Sequence, residues 1–245
     1  MTTLVVLSSV AACAGGSGKG AETSAAKPEG RLPSGISTPS KLWTEADLNS
    51  AALTVEDLDG YDVAPMEAEA GAGAFRATVD PAMCEPIGHA LGPNGSAYAA
   101  AARIVRLIFP EGDGAGATMA LASYSAEDAR NVVQEFRKAT ERCAAYKDLV
   151  SSFRYEDVEV QSDPGYGEES VSVRLTQIAD YDANGEPVKI PFAIVAVRQG
   201  ATVAMFSTFN RRGGSQEGMP ASVPAVLVRA QLNKMGELDA SASRR

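Results

Sequence analysis

The sequence is poor in residues on which common catalytic and redox chemistry depends. Among 245 residues there are one histidine, one tryptophan and three cysteines. The lone His89 excludes sites that need two histidines from one chain, which include most catalytic zinc centres. No C-x-x-C motif is present, and no G-x-S-x-G elbow occurs in the folded region. The sequence therefore predicts no cofactor and a protein that is not an enzyme.

Positive charge is also scarce, because the formal net charge is -9 at pH 7. An acidic chain repels phosphate, which argues against nucleic acids and anionic lipid surfaces as partners. After the N-terminus no apolar run is long enough to span a bilayer. Hydrophobic content of 45% and charged content of 22% are ordinary for a globular protein.

The N-terminus carries a short apolar run, from Leu4 to Ala12, directly before Cys13. The residues V-A-A-C resemble the lipobox of bacterial lipoproteins. That resemblance implies cleavage before Cys13 and a lipid anchor on its sulfur, with acyl chains such as palmitate. No Lys or Arg precedes the run, which is unusual for a signal peptide and which a start codon placed too late would explain. The alternative is a buried strand with an incidental cysteine.

Composition divides the chain into four segments. We predict a signal peptide at 1–12, a lipidated cysteine and disordered tether at 13–43, a folded domain at 44–238 and a disordered tail at 239–245. The tether is rich in Gly, Ser, Ala, Pro and Lys, so almost nothing in it can be buried. Trp43 marks the start of foldable sequence.

The region from Tyr124 to Tyr146 predicts a long amphipathic helix. Ser125 is a natural N-cap, with acidic residues in the turn that follows. Apolar and small side chains recur at helical spacing and predict one buried face: Ala129, Val132, Val133, Phe136, Thr140 and Cys143. Cys143 is therefore expected to point inward.

Strands linked by short turns surround this helix and indicate antiparallel pairing. Helices come in blocks rather than after every strand, which predicts a single α+β domain with helices packed on one face of an antiparallel sheet. The predicted strands are Phe75–Val79, Tyr98–Phe109, Ala117–Ser123, Phe153–Val160, Ser170–Ile178, Val188–Arg198 and Ala201–Phe209. Short helices are predicted before Gly60 and at Ala82–Leu91. A final helix, Pro220–Met235, is expected to turn residues including Val226 and Leu227 inward.

The cysteines suggest one disulfide. If Cys13 carries lipid, Cys84 and Cys143 remain as a pair in a compartment where disulfides persist. The alternative is two buried free thiols.

A family resemblance joins these features. The segments L-T-V-E-D-L-D-G-Y, D-P-A-M-C-E-P-I, S-Y-S-A-E-D-A and E-R-C-A-A-Y come in this order before the paired strands and the final helix. From Leu53 to Met235 the chain resembles the extracellular sensor domains of PknH-like serine/threonine kinases of actinobacteria and their stand-alone lipoprotein relatives. The resemblance implies an extracytoplasmic α+β domain with a cleft for an unknown ligand. It supplies no catalytic residues, and this chain lacks the cysteines for the second disulfide of the kinase members.

Three motifs and the single histidine each allow a structural interpretation as well as a chemical one. Asp180–Asn184 matches the start of a calcium loop, but Pro191 stands where a bidentate Glu is required, which favours a hairpin turn with at most weak calcium binding. Gly112–Gly116 is more typical of a hairpin loop than of a phosphate loop, and Arg211–Gly214 of a solvated loop than of an anion site. His89 is expected to be structural rather than a base.

Three functions remain from this reading. The first is a membrane-anchored sensor on the extracytoplasmic side that binds a small molecule or envelope component. The second is a module that docks on an envelope protein, and the third, least favoured, is an unrecognised hydrolase. An enclosed apolar pocket with a few polar groups would favour the sensor. An exposed flat apolar patch would favour the docking module, and clustered carboxylates with shifted pKa values would favour the hydrolase.

The lipobox generates a direct prediction. Cys13→Ala should move the protein from the membrane fraction to the soluble fraction, because the thioether cannot form without the sulfur. Fractionation followed by immunoblotting measures this. Retention of the variant in the membrane fraction would show that the anchor lies elsewhere.

Overall fold

In the part of the chain that the structure describes, nine strands form one antiparallel sheet. The computed structural model describes residues 42–66, 77–92, 95–112, 114–210 and 213–242. The order across the sheet is β1-β3-β4-β9-β8-β7-β6-β5-β2. The strands are β1 Tyr61–Met66, β2 Val79–Asp80, β3 Ala102–Pro110, β4 Ala117–Ser123, β5 Tyr146–Asp148, β6 Arg154–Val160, β7 Glu169–Tyr181, β8 Pro187–Gln199 and β9 Thr202–Phe209.

Within these described ranges, four α-helices pack on the sheet. They are α1 Glu45–Ala51, α2 Glu85–Leu91, α3 Ala126–Arg142 and α4 Ala225–Ala242. A 3₁₀ turn, Ala82–Cys84, leads directly into α2. Within the described residues no helix is both long and apolar enough to cross a membrane.

The α+β class, the antiparallel sheet and the single domain are confirmed, but the placement of the helices on one face is wrong. One core packs α2 and α3 against residues such as Ile194 and Ala196. A second core packs α1 and α4 against Val195 and Val197, which alternate with Ile194 and Ala196 along β8. Successive strand residues point to opposite faces, so a strand that is apolar throughout must be covered on both. The same apolar run correctly predicted that β8 is central.

Helix α3 has the predicted cap and buried face. Ser125 Oγ accepts from the backbone N–H of Asp128 at 3.0 Å, which satisfies a first-turn donor. The predicted inward residues from Ala129 to Thr140 are buried, and Cys143 follows as the C-cap. Their burial places this helix over strands β6 to β9.

Helix α4 departs from its prediction at both ends. It begins at Ala225, and it continues through the predicted tail as far as Ala242. Val226 is 52% exposed, whereas Leu227, Val228 and Met235 are buried. The tail sequence contains no glycine or proline to stop the helix, and the Asp239 carboxylate hydrogen-bonds the Trp43 side chain. The folded domain thus includes Trp43, which is itself buried.

Buried Gln231 joins α4 to the end of α1. Its side-chain oxygen accepts from the Leu53 N–H at 3.1 Å, and its amide donates to the Ala51 carbonyl at 2.7 Å. The bond to Ala51 satisfies one of the carbonyl groups that the end of a helix leaves without a partner, and the bond from Leu53 satisfies a buried N–H just beyond the helix. Polar Gln231 was not predicted to be buried, because hydropathy alone cannot reveal a partner that lies 180 residues away.

Three strands at or near the edges of the sheet were missed or shortened in the prediction. Strand β1 was not predicted, since half of it is exposed and it contains Pro65, which sheets tolerate mainly on edge strands. Strand β5 is only three residues long. Strand β2 begins at Val79, and Phe75, where this strand was predicted to start, lies outside the described residues.

The predicted disulfide is confirmed. Cys84 and Cys143 are bonded, with their Cα atoms 5.5 Å apart and 59 positions apart in sequence. The bond joins the residue before α2 to the residue after α3. Cys13 lies outside the described residues, as do the predicted signal peptide and most of the predicted tether.

Candidate functional site

A cavity of about 260 Å³ lies between α2, α3 and the loop that precedes β3. Its walls come from three separate parts of the sequence. The lining residues are Ala82, Met83, Glu85, Pro86 and His89 from the α2 region, Gly95, Ser96, Ala97 and Tyr98 from the loop, and Val132, Glu135 and Phe136 from α3.

Close packing holds α2 in place as one wall of the cavity. A Cβ atom at Gly88 would lie 2.9 Å from both Ala77 Cβ and Val79 Cγ1, closer than carbon atoms can approach. Glycine therefore allows α2 to lie directly against the segment that enters β2. At the start of the helix, the disulfide ties Cys84 to the end of α3.

The cavity is apolar at its base and more open at its rim. Val132 and Phe136 belong to the buried face of α3 and are 4% and 1% exposed. Met83, by contrast, lies at the rim, and 55% of its surface is exposed. An apolar recess edged by a few polar groups is typical of small-molecule sites.

Tyr98 and Glu135 form the best-defined polar contact of the cavity. The Tyr98 hydroxyl donates to Glu135 Oε1 at 2.6 Å. This hydrogen bond, with burial and the nearby carboxylates of Glu135 and Asp128, raises the pKa of Tyr98 to about 12. The contact fixes one oxygen of Glu135 and leaves the carboxylate with further capacity to accept hydrogen bonds.

Two other polar groups of the cavity make contacts within the fold. The Ser96 hydroxyl lies 3.0 Å from the hydroxyl of buried Tyr124. His89 is buried, and its Nδ1 accepts from the Ala77 backbone N–H at 3.3 Å, which puts the ring proton on Nε2. This backbone contact agrees with the structural role predicted for His89.

A second concavity, of about 390 Å³, lies at the β3–β4 hairpin. Its described lining includes Leu107, Phe109, Thr118 and Phe209 and no charged side chain. A Cβ at Gly116 would lie 2.9 Å from the Phe109 ring, so glycine allows the ring to lie against the backbone. The glycine-rich segment thus belongs to a hairpin, as predicted, and its few polar groups make it a weaker candidate.

The remaining motifs serve structural purposes where they are described. Asp182 Oδ1 accepts from the backbone N–H groups of Asn184 and Glu186 in the β7–β8 turn, which is the predicted hairpin. Among the described residues, no group of three or more His, Cys, Asp or Glu side chains is arranged to hold a metal ion. Arg211 and Arg212 lie outside those residues.

The chain is similar to a solved structure but not to a family model or a curated protein. No family model matches the chain, and no curated protein matches it. The crystal structure of the extracellular domain of PknH from Mycobacterium tuberculosis aligns at 14% identity, over 82% of this chain and 98% of that chain, with a TM-score of 0.49. A similarity of this extent says nothing about ligand or activity, so the resemblance to sensor domains stays a prediction.

The sequence predicted the burial of two residues at the base of the cavity, but neither the cavity itself nor its rim. Val132 and Phe136 follow from helical periodicity. Tyr98 was placed at the start of a strand, whereas β3 begins only at Ala102. Glu135 gave no signal beyond an exposed helix position, because its partner comes from a separate loop.

Titration of Tyr98 tests this geometry. The folded-state pKa lies above the ordinary value of 10.0, so the contact stabilises the fold below pH 10 and this contribution is lost as the pH rises to about 12. The tyrosinate absorbance of the wild type minus that of Tyr98→Phe should show a transition near pH 12. In a Glu135→Gln background the transition should move towards pH 10. An unchanged transition would mean that Glu135 does not contact Tyr98.

Proposed function

We propose that this chain is a lipid-anchored protein of the extracytoplasmic membrane surface, with a sensor-like domain that binds a small molecule or envelope component. The binding site is the cavity between α2 and α3. The observation that carries the proposal is the combination of an apolar base with several polar groups at one recess.

The disulfide supports the extracytoplasmic location. Disulfides persist in secreted and surface proteins and are rare in reducing compartments. Both Cys84 and Cys143 are buried, so the bond is a structural one. The lipobox at Cys13 supports anchoring through lipid rather than through a helix.

Binding without chemical conversion fits the groups in the cavity. Acyl transfer needs a nucleophile beside a base that activates it. The Ser96 hydroxyl is paired with Tyr124, and the Nδ1 of His89 is occupied by a backbone N–H. Neither group is therefore arranged with the other as a nucleophile–base pair.

A cavity-filling variant tests the site. Ala97 lines the cavity and is exposed, so Ala97→Phe should fill the cavity without disturbing the core. Ala99→Phe is the matched control, since Ala99 is also exposed but does not line the cavity. In a thermal-shift screen of glycans, lipids and metabolites, a ligand at about 100 times its Kd should raise the Tm of the wild type and of the control by roughly 5–10 °C. Ala97→Phe should abolish that increase.

Two results would contradict the proposal. A ligand that still shifts the Tm of Ala97→Phe binds elsewhere on the protein. A ligand that is consumed well above the background rate would make the protein an enzyme.

Docking on an envelope protein is the second candidate function. The tip of the β5–β6 hairpin exposes Leu149, Val150 and Phe153 to solvent. The Asp148 carboxylate accepts from the backbone N–H groups of Val150 and Ser151, which holds the tip in one conformation. A screen without hits, together with capture of an envelope protein that Val150→Ser abolishes, would favour docking over ligand binding.

A further inference from the structure

We propose that the cavity between α2 and α3 takes a small organic cation, with an ammonium group at the rim and an apolar body at the base. This inference rests on the proposed function, because it names the class of ligand for the same site. It follows from the sign of the charges around the cavity, the fixed position of one carboxylate and the apolar base.

The charged residues that line the cavity are acidic. Glu85 comes from α2 and Glu135 from α3, so the two carboxylates belong to different walls. Both residues are exposed, which places them at the solvent side. No Lys or Arg is among the described lining residues. Carboxylates on two walls favour a cationic guest and disfavour an anionic one.

Two positive charges in this part of the fold, Arg103 and Lys138, lie outside the lining. Arg103 acts electrostatically on Tyr124, whose buried hydroxyl meets Ser96 on the loop side. Lys138 follows Glu135 by one helical turn on the exposed surface of α3. These cations reduce the negative field but do not line the recess in which a ligand would lie.

Glu135 is oriented before any ligand arrives. Its Oε1 already accepts from Tyr98, which costs the side chain part of its rotamer freedom. An ionised carboxylate offers about four acceptor positions, so Glu135 can still accept from an ammonium N–H. Tyr98 lines the same cavity, so the fixed carboxylate lies beside the space that a ligand would enter.

The base of the cavity determines what the uncharged part of the ligand should be. Val132 and Phe136 are buried and apolar, and Pro86 lines the α2 side. A volume of about 260 Å³ is slightly below the usual range for small-molecule sites, which suits a single ring on a short chain. A bare calcium ion is a poorer fit, because it requires six or more oxygen ligands.

The experiment compares three probes of nearly the same shape in the full, oxidised chain. They are phenethylamine, neutral phenylethanol and anionic phenylpropionate, and calorimetric titration measures each affinity. The amine should bind about tenfold more tightly than the alcohol, as expected for one charge-assisted hydrogen bond, and the acid should not bind.

Glu135→Gln isolates the role of charge. The glutamine oxygen can still accept from Tyr98, so the variant should retain its fold and lose only the negative charge. It should bind the amine about tenfold less tightly and bind the alcohol as the wild type does. Glu141→Gln is the matched control, since Glu141 is an exposed carboxylate of the same helix that does not line the cavity. This control should leave both affinities unchanged.

The possible failures are distinguishable. Equal affinity for amine and alcohol, with both abolished by Ala97→Phe, would overturn the cation assignment and keep the cavity as the site. If Glu141→Gln loses amine binding just as Glu135→Gln does, the effect is one of net charge in general. That result would also overturn the cation assignment. If no compound in the wider screen binds in an Ala97-dependent way, the proposed function fails together with the inference.

Discussion

The disulfide between Cys84 and Cys143 is the constraint on which the candidate site depends. It joins the entry of α2 to the exit of α3, and these helices form two walls of the cavity. A cross-link that closes a loop of this length is worth about 4 kcal/mol in the chain-entropy model. Helix α2 has only seven residues, too few to be stable alone, so its position depends on such tertiary contacts.

The candidate site lies on the first face of the sheet, which α2 and α3 cover, and α1 and α4 cover the second. Helices cover both faces, but they do so differently. On the second face, Gln231 connects α4 directly to the end of α1 and leaves the backbone polar groups there satisfied. On the first face, Gly88 allows α2 to lie directly against Ala77 in the segment that enters β2. The loop with Tyr98 forms a further wall of the cavity.

Sequence patterns predicted what depends on neighbours along the chain. The buried face of α3, the cap at Ser125 and the central place of β8 all follow from local periodicity. The cysteine pair followed from counting. The second helical layer, the burial of Gln231 and the Tyr98–Glu135 contact were not predicted. Each depends on partners brought together only by the fold, and an exposed Glu on a helix gives no sign of such a partner.

Hydrogen exchange in the oxidised protein and in the double variant Cys84→Ala/Cys143→Ala tests the central claim most directly, because local opening governs exchange. The claim is that the disulfide holds α2 against α3 and so forms the cavity. Amides of α2 and of residues 77–80 should exchange much faster in the variant, while those of β8 and β9 stay protected. Equal protection of α2 in both proteins would show that the cavity forms without the disulfide and would contradict the account.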